Sequence, residues 1–231
     1  MNKITIAIDG FSSTGKSTVA KQLAKALGYV YVDTGAMYRA VTLYAMQSGL
    51  INNSDFNVEA LIYQLSNINI SFKFNAALGF AEVYLNDVNI EKKIRTLEVS
   101  SFVSKVAAIS KVRKKLVEQQ QKMGHDKGVV MDGRDIGTVV FPDAELKLFM
   151  TASAETRAER RFQELIERGD KVDYKDVLQN VQERDYIDSN RADSPLIKAK
   201  DAIEIDNSHM SLDEQFNKIL KLANMTIEDL E

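Results

Sequence analysis

The chain has 231 residues, 45% of them hydrophobic and 27% charged, with a formal net charge of −3 and no cysteine. These values exclude intrinsic disorder, which needs low hydrophobicity with high net charge, and they exclude a disulfide scaffold and a thiol nucleophile. The mild acidity gives no global attraction for nucleic acid or for an anionic membrane, and neither is expected as a partner.

The opening MNKITIAID is interrupted at Asp9, too early for a hydrophobic targeting segment. No stretch approaches the roughly 18 apolar residues of a membrane span, so a cytoplasmic protein is expected. Residues 3–8, KITIAI, read as a buried strand stopped by Asp9-Gly10. Residues 17–27 read as a helix with Val19, Leu23, Ala24 and Leu27 on one face and Gly28 as its stop. A short strand at 29–32 and helices at 36–47 and 57–67 come next. The texture then turns β-rich at 69–74 and 81–85, with Gly79 between them, a turn at Asn86-Asp87 and a brief strand at 88–90. This reads as a small antiparallel insert over about 68–93. Residues 96–122 are mostly helical, with the serine-rich patch at 100–104 and Ser110 as points where the helix bends or divides. Strands are expected at 128–131, 146–150 and 202–205, and helices at 154–168, 173–189 and 212–222. Ser211 and Glu214 have capping-box spacing at the last helix. Strands separated by helices predict an α/β fold with a parallel sheet covered on both faces.

Residues 10–17, GFSSTGKS, satisfy G-x-x-x-x-G-K-[ST] between an apolar strand and a helix. That context makes a phosphate cradle, because successive backbone N–H groups and a helix N-terminus both favour an anion. Gly10 and Gly15 allow close backbone approach, with Phe11, Ser12, Ser13 and Thr14 forming the loop between them. Lys16 is expected on the β and γ phosphates, Ser17 on Mg²⁺, and Thr18 near the α phosphate. A nucleoside triphosphate with Mg²⁺ is therefore expected on the loop. The loop alone leaves open a kinase, a GTPase switch or an ATPase motor, but the guanine-reading pattern N-K-x-D does not occur.

Basic residues narrow the choice. Arg39, Arg113, Arg134, Arg157, Arg160, Arg161, Arg168, Arg184 and Arg191 could surround an acceptor that is itself a phosphate. For Arg157, Arg160 and Arg161, on a polar helix, the alternative is solvated surface charge. Arg134 lies between Asp132 and Asp135 beyond a buried strand, where ligands of parallel sheets bind. Asp132 could assist Mg²⁺, directly or through water, or merely cap a turn; Asp9 is a weaker case of the same kind. His125 and His209 build no metal motif.

Longer stretches now carry a resemblance: the P-loop, DTGAMYR at 33–39, Ile94-Arg95-Thr96 to Val99, Ser104 with Val106-Ala107-Ala108, Val112-Arg113, DGRDIGTVVFPDA at 132–144, ERD at 183–185 and Asn190-Arg191. With these the chain resembles the bacterial cytidylate kinases over nearly its whole length. It departs at Phe11, where proline is common, at Ser17-Thr18, where Gly-Thr is common, and at Thr34, where serine is expected. The resemblance implies a three-layer P-loop kinase fold with a five-stranded parallel sheet, the β insert and a mobile lid. The core would be 1–35, 94–156 and 171–231, the acceptor region 36–93 and the lid 157–170. It implies transfer of the γ-phosphoryl of ATP to CMP or dCMP by a monomer, with UMP a poor acceptor. By the same resemblance Thr34, Arg39, Ser104, Arg113, Arg134, Asp135, Arg184 and Asp188 would bind CMP, and Arg157 would bind ATP. Lys16, Arg134, Arg161, Arg184 and Arg191 would be the catalytic cations.

Overall fold

The computed structural model describes residues 2–77 and 79–230. The chain forms two compact units: residues up to Asp33 together with those from Gln119 onward, and Thr34–Glu118.

The first unit is built on a parallel sheet of β1 (Thr5–Gly10), β2 (Val30–Asp33), β6 (Val129–Gly133), β7 (Leu146–Thr151) and β8 (Ile203–Asp206), ordered β2-β6-β1-β7-β8. β1 is central and buried along its whole length, which is why Ile6, Ala7 and Ile8 are apolar in succession rather than alternating with polar residues. It runs two residues beyond the expected stop. Asp9 pairs with Gly133 and Phe149, and Gly10 with Met150, so neighbouring strands hold the Asp-Gly pair in the sheet. Gly10 has φ +142°, and a Cβ there would lie 2.0 Å from the Met150 carbonyl oxygen. Glycine is required because the loop leaves the sheet against that backbone.

One face of the sheet is sealed by α1 (Lys16–Leu27) and α8 (Leu212–Glu228). Val19, Ala20, Leu23 and Ala24 pack with Ile219, Ala223 and Ile227 over Ile6, Ile8, Leu148 and Ile205. α1 ends as expected at Gly28, whose φ of +67° lets its N–H cap the Ala24 and Lys25 carbonyls. α8 starts with the capping box Ser211–Glu214 but runs six residues past the expected end, since Ile219, Ala223 and Ile227 continue one buried stripe at i, i+4 spacing. α6 (Ala154–Glu167) and α7 (Tyr174–Asn190) are joined by an edge-on contact of Phe162 with Tyr174 at 5.8 Å. A single π-turn over Ile136–Val140, which periodicity does not reveal, comes after β6.

The second unit contains α2 (Thr34–Gln47), α3 (Val58–Gln64), β3 (Ile70–Asn75), β4 (Phe80–Leu85), β5 (Val88–Asn89), α4 (Leu97–Ala107) and the start of α5 (Ser110–Met123). The three strands form an antiparallel sheet in chain order. Asn86 and Asp87, with φ +47° and +66°, make the tight turn between β4 and β5. The long helical stretch divides at residues 108–109, just before Ser110. The serine patch does not break it: Ser100 and Ser104 are buried inside α4, and Ser101 returns its hydroxyl to the Leu97 carbonyl.

Candidate active site

The loop between β1 and α1 is closed on itself. Thr14 Oγ1 donates to the Phe11 carbonyl at 3.1 Å, and Lys16 Nζ donates to the same carbonyl and to Thr14 Oγ1. Ser13 (φ +58°) and Gly15 (φ +85°) supply the left-handed turns that curl the chain before α1 begins at Lys16. The Lys16 side chain is buried. Burial and the nearby Arg134 guanidinium hold its ammonium well below the usual lysine range, against the pull of Asp132 and Asp9.

Asp132 and Ser17, both expected from the sequence as metal ligands, meet: Ser17 Oγ donates to Asp132 Oδ2 at 2.9 Å. Tyr31 donates to the other oxygen at 2.8 Å. Burial, with Asp33 alongside in register on β2, raises the Asp132 carboxyl to about 6. Asp9 has a different role. Its oxygens accept the N–H groups of Ile136 (2.8 Å) and Gly137 (2.7 Å), so it caps the π-turn and holds DGRDIG against β1.

Beyond β6 the guanidinium groups collect. Arg134 Nε donates to Asp188 Oδ2 at 2.8 Å; burial opposes its charge, but the Asp188 carboxylate outweighs that and raises its pKa. Arg191 donates from Nε to the Ser194 carbonyl at 2.7 Å and places Nη2 3.6 Å from Asp135 Oδ1. Arg184 is the outlier. Burial and the adjacent Arg134 and Arg161 lower it to about 10, and its Nε is buried with no hydrogen-bond partner among the described residues.

The arginines of α6 are not solvated surface charge. Arg157 and Arg161 are buried and Arg160 half-buried. Arg157 grips both Asp185 oxygens at 3.1 and 2.6 Å, donates to the Ala152 and Ser12 carbonyls, and stacks on the Phe11 ring at 5.2 Å. Arg161 donates to Glu164 at 2.8 Å, and Arg160 reaches Asn207.

Within the second unit, Thr34 opens α2 and is buried. Arg39 donates to the Ile94 carbonyl at 3.2 Å and to Ser100 Oγ at 2.9 Å. Arg113 is buried, lies over the Tyr38 ring at 5.5 Å and donates to the Ala107 carbonyl at 3.2 Å. The Ser104 hydroxyl is buried with no hydrogen-bond partner among the described residues. A buried polar atom left this way calls for a ligand or water.

The cytidylate kinase family model matches residues 6–225. The chain belongs to the cytidylate kinase family. Cytidylate kinase of Flavobacterium johnsoniae is 68% identical over 228 residues, 99% of each chain. That of Flavobacterium psychrophilum is 67% identical, over 97% of this chain and 99% of its own. A solved structure of an uncharacterized protein from Eubacterium ventriosum covers 97% of this chain and 99% of its own at a TM-score of 0.50 and 14% identity, a likeness of fold alone.

Sequence reasoning passes over three residues of this site, Tyr31, Asp185 and Asn207. Tyr31 reads only as a strand residue, and Asp185 only as part of the ERD resemblance. Asn207 sits in the short loop before α8, where an Asn-Ser pair looks like turn chemistry.

Proposed function

We propose that the chain transfers the γ-phosphoryl group of ATP to CMP or dCMP, giving ADP and CDP or dCDP. One observation supports this above the others. Burial with Arg134 and Arg184 lowers the Lys16 ammonium, burial with Arg134 and Arg161 lowers Arg184, and Arg184 keeps a buried N–H without a hydrogen-bond partner among the described residues. Cations held together at a cost to their charge suit a polyanion that binds among them.

In this reading the amides of residues 10–17 carry the β and γ phosphates of ATP, and Lys16 exchanges the Phe11 carbonyl for a phosphate oxygen. Arg134 and Arg184 neutralise the acceptor phosphate, and Arg161 and Arg191 the group in flight. Asp188 takes the sugar hydroxyls once Arg134 turns to phosphate. Asp135 accepts from the cytosine N4 amine, where uracil presents a carbonyl that it would repel. Ser104 and Arg113 add to base reading, and Thr34 and Arg39 to nucleotide placement. The acceptor phosphate is ionised near neutral pH, so no general base is needed. Ser17 and Asp132 present hard oxygens 2.9 Å apart at a helix N-terminus, a donor set that fits Mg²⁺. The bound ion would supply neutralisation of the phosphate oxygens. Arg157, spent on Asp185 and the Ser12 carbonyl, serves the triphosphate by bracing the loop. Residues 157–170 would act as the lid that excludes water, residues 36–93 as the acceptor region, and the enzyme as a cytoplasmic monomer.

ADP release coupled to an indicator, with a panel of acceptors, tests this. CMP and dCMP should turn over well, UMP poorly and AMP not at all. ADP release with CMP no faster than in buffer would overturn the proposal.

A further inference from the structure

We infer that Asn207 is a positioning residue for the phosphate loop, and that through Arg160 it ties the loop to α6. The inference rests on residues 10–17 being the triphosphate site.

Asn207 is fully buried, and its hydrogen-bonding groups are spent on the phosphate loop, α6, α8 and β7. Its Nδ2 donates to the Thr14 carbonyl at 2.6 Å and to Gln215 Oε1 on α8 at 2.7 Å. Its Oδ1 accepts from Arg160 Nη1 at 3.0 Å, and its own carbonyl accepts from Arg160 Nη2 at 2.8 Å. Its N–H pairs with the Thr151 carbonyl at the end of β7, at 2.9 Å. Gln215 is fixed in turn by donating to the Met210 carbonyl at 3.0 Å.

The contact with Thr14 bears on function through the peptide that joins Thr14 to Gly15. That peptide is planar and trans, so its carbonyl and its N–H point in opposite directions. Holding the Thr14 carbonyl therefore fixes the Gly15 N–H, one of the amides that a phosphate loop offers its ligand. Gly15, at φ +85°, belongs to the one residue type for which such a peptide can reorient at little steric cost. A side-chain amide that donates to the carbonyl from the buried side selects one orientation. Asn207 thus supplies preorganisation that the loop's own glycine cannot.

The second contact extends this to α6. Arg160 lies three residues from Arg157 and one from Arg161, and it grips both the side chain and the backbone of Asn207. Movement of α6 and the orientation of the Thr14–Gly15 peptide are therefore linked through one amide.

The two links can be separated. Asn207→Asp keeps an acceptor for Arg160 but replaces the N–H donors to Thr14 and Gln215 with oxygen. It should raise the Kd of ATP by about tenfold, the size of one buried hydrogen bond lost with repulsion added, while the Kd of CMP changes less than about twofold. Arg160→Ala keeps the Thr14 contact and should lower kcat more than it raises the KM for ATP. Should Asn207→Asp fail to fold, Gln215→Leu, which frees the same amide from its second anchor, should show the same ATP-selective loss. Equal losses for both nucleotides, or unchanged ATP binding with a lowered Tm, would make Asn207 structural only and overturn the inference. Lys16→Ala run alongside separates the two levels: if it leaves ATP binding intact, the loop is not the triphosphate site and the underlying proposal fails instead.

Discussion

Asp9, next to last in β1, gives both carboxylate oxygens to backbone N–H groups, and burial nevertheless lifts it to about 7, with Asp135 adding to the rise and Lys16 opposing it. A carboxyl whose folded pKa lies above its unfolded value favours folding below the unfolded value, near 4, and loses that contribution as pH rises toward 7. Asn at this position has no such titration. The stability of wild type relative to Asp9→Asn, measured by urea unfolding, should therefore fall by more than about 1 kcal/mol between pH 4.5 and pH 7.5. A constant difference would mean that Asp9 ionises normally in the fold. Residues differ in how far local pattern reveals them. Gly10, Gly15, Lys16 and Ser17 are legible because their chemistry is local, fixed by spacing between a strand and a helix. Asn207 is not, because its partner Thr14 is 193 positions away and nothing in an Asn-Ser turn points to it. Asp9 reads from sequence as a weak metal ligand, since only the fold shows the π-turn that takes up its oxygens.

Elements depart from local pattern where their neighbours override it. The start of α8 is readable from its capping box, whereas its end is not, because the buried stripe from Ile219 to Ile227 continues through a polar-looking tail. Ser211→Ala should cost about 1 kcal/mol in chemical denaturation, as loss of an N-cap does; a cost near zero would show that burial alone holds the helix start. The pairing of α6 with α7 depends more on charge. Arg157 is buried against Asp185, so Asp185→Ala leaves a guanidinium without its carboxylate and should destabilise by about 3–5 kcal/mol. Phe11 shares this role through its stack on Arg157 and its edge contact with Phe149 at 6.1 Å. That gives a physical reason for an aromatic residue in the loop. A loss below about 1 kcal/mol for Asp185→Ala would mean that Arg157 finds other partners and that the loop is braced elsewhere.

At the scale of the molecule, a modest net charge of −3 conceals a strong local asymmetry. Composition gives no hint of it; the arginines become informative only by their places beyond strand ends and on α6 and α7. Asp188 and Asp135 answer Arg134 and Arg191, but burial and the neighbouring cations still hold Arg184 below its ordinary value, so its charge opposes folding in the nucleotide-free protein. Function at such a site is retained against stability. The measurement that tests this most directly is Arg184→Met, read for Tm without nucleotide and for kcat with CMP and ATP. The Tm should hold or rise by about 2–4 °C, as removal of roughly 1 kcal/mol of repulsion would give in a chain of this size. The kcat should fall by about a hundredfold or more as transition-state neutralisation is lost. A variant that melts several degrees lower yet keeps its kcat would contradict the account, for Arg184 would then be structural and the gathered cations would not be there to hold a phosphate.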